Sequence, residues 1–155
     1  MHAPLLALLT VLGVEFTHAE LGVRLELPAG WTFDRECGPF VPAAPRCRVD
    51  GKLAECPKSM CPERVGVLWL TAPTVLTSRD SEKAELLAGD AGTAWVSSSQ
   101  LSDGWVLTWG GSGDTFPFKV SRKIGARVIE CSGEGLTIAG QQAMIDACKS
   151  LKVLR

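Results

Sequence analysis

Residues 94–131, AWVSSSQLSDGWVLTWGGSGDTFPFKVSRKIGARVIEC, decide the fold. Four runs rich in Val, Ile, Thr, Trp and Phe, at 94–101, 105–109, 116–123 and 126–131, have the composition of strands. Ser102-Asp103-Gly104, residues 110–114 and Ile124-Gly125 separate them with turn formers. Links this short join antiparallel neighbours, so the stretch is predicted to be a four-strand meander.

Working outward, residues 138–151 place Met144, Ala147, Cys148 and Leu151 at i, i+3, i+4 and i+7, the apolar stripe of a helix. Towards the N-terminus, Leu21, Val23, Leu25 and Leu27 alternate with Gly22, Arg24 and Glu26, a half-buried strand. Pro28-Ala29-Gly30 turns the chain, and Trp31-Thr32-Phe33 begins a second strand. Residues 65–71 are almost wholly apolar and read as a central strand. Residues 78–88 read as a short helix, with Ser78 as cap, Asp80 and Glu82 in the first turn, and Gly89 as stop.

Strands cluster in this order rather than alternating with helices, which predicts an α+β fold. The expected architecture is an antiparallel sheet of about six strands with the C-terminal helix on one face. Its expected core is Leu21, Val23, Leu25, Val67, Trp69, Trp109, Val128, Met144, Ala147 and Leu151.

Residues 5–14 carry no charge, and Thr17-His18-Ala19 supplies small residues where a signal peptidase cuts. Residues 1–19 are therefore expected to be a signal peptide, and 20–155 a single domain that is secreted or periplasmic. The competing reading is a buried N-terminal helix or strand. No run is long enough to span a bilayer, so no membrane span is expected. Both histidines, His2 and His18, lie in this segment, and the chain has no Tyr. Without imidazole, the Ser-His-Asp and Cys-His constellations and His-containing zinc sites are excluded.

The chain has 16 basic and 17 acidic side chains, and losing Glu15 would balance them. No basic run suits nucleic acid, which is not expected as a partner. Gly110-Gly111-Ser112-Gly113 is neither a nucleophile elbow nor a phosphate loop, because Asp114 stands where the elbow needs Gly and a strand follows. No pair of carboxylates stands out for acid–base work. The reading is of a non-enzyme, with no catalytic residues, no metal and no cofactor.

Residues 37–62 hold four cysteines and five prolines, and 37–61 is expected to be a disulfide-stapled surface insertion separable from the fold. Six cysteines and an export signal suggest three disulfides. A hairpin turn within Asp50-Gly51-Lys52-Leu53 would set Cys47 opposite Ala54 if Asp50-Gly51 forms it, or opposite Cys56 if Gly51-Lys52 does, and the second register, which also faces Arg48 with Glu55, is favoured. The expected pairs are Cys47 with Cys56, Cys37 with Cys61, and Cys131 with Cys148.

Two contact surfaces follow. The proline-stiffened stretch containing Phe40, Val41, Pro42 and Arg46 could fill a partner's cleft with little loss of entropy. Trp105 and Trp109 share one strand face and are expected in the core under the C-terminal helix, or else form an aromatic shelf for a sugar or apolar ligand.

The opening Gly22-Val23-Arg24-Leu25-Glu26-Leu27-Pro28-Ala29-Gly30-Trp31, the meander and the terminal amphipathic helix resemble exported PsbP/Mog1/DcrB-like domains. The resemblance implies binding or assembly rather than catalysis, and the Cys-rich stretch departs from it. Together these observations predict an exported, non-catalytic binding domain whose partner is a protein or cell-envelope component. The alternative is a secreted inhibitor or immunity-type protein acting through 37–61.

Overall fold

The computed structural model describes residues 14–19, 21–27, 31–38, 46–53, 66–89, 93, 95–110 and 113–155, with backbone alone for 14, 31–38 and 46–53. Among the described residues, ten strands and two helices follow in the order β1 (Val14–His18), β2 (Val23–Leu27), β3 (Trp31–Gly38), β4 (Arg46–Leu53), β5 (Gly66–Thr71), α1 (Arg79–Gly89), β6 (Trp95–Leu101), β7 (Gly104–Gly110), β8 (Phe116–Ile124), β9 (Arg127–Gly135), α2 (Ile138–Lys149) and β10 (Lys152–Val153). The fold is α+β with antiparallel sheets.

The meander forms as its turns dictate, β6 to β9 pairing in sequence. Gly125 turns β8 into β9 at φ 61, the left-handed region that glycine enters without steric cost. The large sheet then continues through β5 and β4 to β3, giving seven strands in the order β3-β4-β5-β9-β8-β7-β6. The small sheet has the order β1-β2-β10. A single sheet of about six strands is thus corrected to two sheets.

One core joins α2, the small sheet and one face of the large sheet. Leu21, Val23, Leu25 and Leu27 meet Leu68, Leu70, Phe118, Val120, Ile129, Met144, Ile145, Ala147 and Leu151 there. The helix stripe read from sequence is correct, since Met144, Ala147, Cys148 and Leu151 are all buried. Thr137 caps α2, its hydroxyl accepting from the Gly140 N–H at 2.9 Å. At the other end, the Ser150 hydroxyl accepts from the Glu26 N–H at 2.7 Å and donates to the Ala147 carbonyl, tying α2 to β2. The helix sits close to the sheet because β9 ends in Gly135, where a Cβ would lie 2.2 Å from the Gln141 nitrogen.

Three other expectations are corrected. Residues 50–53 do not turn, because Arg46–Leu53 is one continuous strand between β3 and β5. Cys47 therefore lies opposite Cys37 in the ladder, not opposite Cys56. The stretch 37–61 accordingly contributes an interior strand of the sheet rather than a detached staple. The Cys131–Cys148 bridge is not formed. Both residues are buried free cysteines, side by side where β9 meets α2. Finally, Trp105 and Leu107 are buried on the sheet face opposite α2, beneath α1.

Val14–His18, inside the expected leader, pairs with Val23–Leu27 and contributes Phe16 to the core. Gly22, at φ 66, closes that hairpin, its N–H donating to the His18 carbonyl at 2.9 Å.

Candidate functional site

Strands β6, β7 and β8 carry Gln100, Trp105 and Ser121 in one row across the sheet. α1 crosses the same face, and the segment that enters it, 76–78, runs past the end of that row. The Trp105 indole N–H donates to the Thr77 carbonyl at 2.8 Å and pins the segment. The Ser78 hydroxyl then accepts from the Ser81 N–H at 3.2 Å and starts the helix.

Between this helix start and the β6–β7 turn lies a concave site of about 520 Å³. Trp105 closes it from beneath, 2% exposed. Arg79, Asp80, Asp103 and Lys123 bring both signs of charge to its walls, and Ser78, Gln100 and Ser102 bring neutral donors and acceptors. An aromatic base with convergent polar groups is the ordinary composition of a ligand site.

The ionisable groups in and beside this site are mostly engaged with one another. Arg79 Nε lies 3.2 Å from Asp80 Oδ1. Arg122 Nε meets both Asp103 carboxylate oxygens at 3.1 Å, and its Nη2 reaches Oδ2 at 2.6 Å. The hydrogen bond from Arg122 holds the Asp103 carboxyl below its ordinary value, outweighing the opposing effect of burial. Arg122 also donates to the carbonyls of Lys149 and Leu151, so this one side chain joins the β6–β7 turn to the end of α2.

On the same sheet face, under α1, Lys119 bridges Glu82 and Glu130, the latter at 3.5 Å. Burial opposes its charge, but hydrogen bonding to Glu82 and the charge of Glu130 win, and its pKa is raised. An ammonium held charged between two carboxylates cannot serve as a general base at neutral pH. Burial and the contact with Cys131 push the Cys148 thiol well up, so it is no nucleophile either. Among the described residues, no three His, Cys, Asp or Glu side chains are grouped so as to hold a metal ion.

Of the residues named from sequence, Trp105 belongs to this site. Trp109 lies two positions further along the same strand face, half-buried, and does not line the cavity. Phe40, Val41, Pro42, Cys56 and Cys61 lie outside the described residues. Arg46, Cys37 and Cys47 are placed by backbone alone, at the facing ends of β3 and β4. Asp103, Arg122, Lys119 and Glu82 were not singled out by sequence. The available signal was charge inside a strand, since Lys119 and Arg122 both stand within the predicted run 116–123. The chain matches no family model, no curated protein and no solved structure. Among the described residues no helix is long and apolar enough to cross a membrane.

Proposed function

We propose that this chain is a non-catalytic binding domain that acts outside the cytoplasm and engages a protein or cell-envelope component at the head of α1. One observation carries the reading: a concave site of about 520 Å³ with an aromatic base, whose partly buried acid, Asp103, is already paired with Arg122. Acid–base or nucleophilic chemistry requires a group free to change its protonation state, whereas recognition requires groups fixed in place. Mixed charges with hydroxyl and amide groups suit a polar partner rich in hydroxyls or amides, such as envelope glycan or peptide.

Export rests on the uncharged run 5–14 and the small residues before Glu20. The core is compatible with a cut there, because Phe16 is the one hydrophobic core residue supplied by the described residues before it. The likeness of residues 22–31 to exported PsbP/Mog1/DcrB-like domains supports the same reading.

Co-sedimentation with isolated cell-envelope material tests it. Ser102 is exposed at the mouth of the cavity, so Ser102→Trp should fill the opening without disturbing the core. Wild-type protein is expected in the pellet and the variant in the supernatant. Equal sedimentation of the two would overturn the assignment of the site.

A further inference from the structure

The large sheet ends at β6, and no described strand pairs with its outer edge. Such an edge presents unpaired N–H and C=O groups to any passing strand, and natural proteins blunt it with charge, proline or a bulge. The other three edge strands here follow that rule. β3 carries Asp34, Arg35 and Glu36, β1 carries Glu15, and β10 carries Lys152. β6, Trp95-Val96-Ser97-Ser98-Ser99-Gln100-Leu101, has no charge and no proline across seven residues.

β6 is also its own complement. An antiparallel pairing about a two-fold axis at Ser98 sets Trp95 opposite Leu101, Val96 opposite Gln100, and Ser97 opposite Ser99. Trp95 meets Leu101 and serine meets serine, while Val96 lies opposite the uncharged Gln100. Trp95 is 48% exposed, its indole lying over Gly110, and in this register the partner's Leu101 would cover it. Any ionised residue on the strand would be repeated by the two-fold axis, so the absence of charge favours self-pairing in particular.

We propose that β6 is an interaction surface for a second copy of this chain, joining two seven-stranded sheets into one continuous antiparallel sheet through β6 and its symmetry mate. Main-chain hydrogen bonds supply the affinity and the side-chain pattern sets the register. The α1 site opens on a sheet face and shares Gln100 alone of the β6 residues with this edge, whose pairing uses the main chain, so the proposal does not rest on the binding function above.

Light scattering coupled to size exclusion, run over a dilution series, tests it with two double variants at exposed positions. Ser97→Lys with Ser99→Lys puts like charges opposite each other across the axis. Ser97→Lys with Ser99→Glu puts opposite charges at the same two places. The wild type is expected to be a dimer. The first variant is expected to raise the dimer Kd on the order of tenfold or more while keeping the wild-type circular dichroism, and the second to restore the dimer. A wild type that stays monomeric at every concentration overturns the proposal and leaves the edge to a strand from another protein. A dimer indifferent to the first variant overturns it by placing the contact elsewhere. Loss in the first without recovery in the second overturns the register.

Discussion

Single side chains carry much of the connection between the site and the core. Arg122 is the clearest case, holding Asp103 on one side and the end of α2 on the other. Because the folded Asp103 carboxyl titrates below its ordinary value, its stabilising effect is complete above about pH 4, the unfolded carboxyl range. It is lost as pH falls through the lowered folded pKa. Asp103→Asn should therefore lower the melting temperature at pH 7, and the difference from wild type should shrink at strongly acid pH. A gap that stays constant with pH would refute this role for the ion pair. Met144 is fully buried between α2 and the sheet, so Met144→Ala should cost about 2–5 kcal/mol in denaturant unfolding. Gly135→Ala should be destabilising for the opposite reason, since its Cβ would strike the α2 backbone. Trp105 was legible as an important aromatic but not as the base of a cavity. Its burial depends on α1, and a strand's alternation does not say which helix will cover which face.

Among the elements, the meander and both helices could be read within a few residues, because periodicity, caps and turn residues all agree there. The failure is β4. Asp50-Gly51 is a strong hairpin signal, and four cysteines with five prolines argue against regular structure. The prolines, however, fall outside Arg46–Leu53, at 39, 42, 45, 57 and 62, and the intervening run is free to join the ladder. Pairing on both sides outweighed the local turn preference, as tertiary context commonly does for strands. The expected pairing of Cys47 with Cys56 rested on a turn at the neighbouring Gly51-Lys52, which the same continuous strand replaces. Residues directly opposite in an antiparallel pair have Cα atoms about 4.5–5.5 Å apart, within the span of a disulfide. Peptide mapping of the oxidised protein is therefore expected to link Cys37 to Cys47. A Cys47–Cys56 peptide would show the β3–β4 register to be wrong. In the reduced protein, the buried pair Cys131 and Cys148 should resist a thiol reagent until the chain is unfolded.

Across the whole molecule, a seven-stranded sheet carries its core on one face, under α2 and the small sheet, and its candidate site on the other, under α1. The sequence held the apolar pattern of the first face but little of the second, whose polar groups come from turns and loop ends far apart in the chain. The second, small sheet was missed because β1 lies in a segment that reads as a leader and β10 is only two residues long. Protein beginning at Glu20 should still fold, through β2 and β10, but melt at lower temperature than the full chain because Phe16 is lost from the core. The most direct test of the binding account is an NMR titration of the full domain with soluble cell-envelope fragments. The expected result is a shift of the Trp105 indole N–H and the Gly104 amide, with the fragments recovered unchanged. Shifts confined to β3 and β4, or conversion of the fragments, would contradict it.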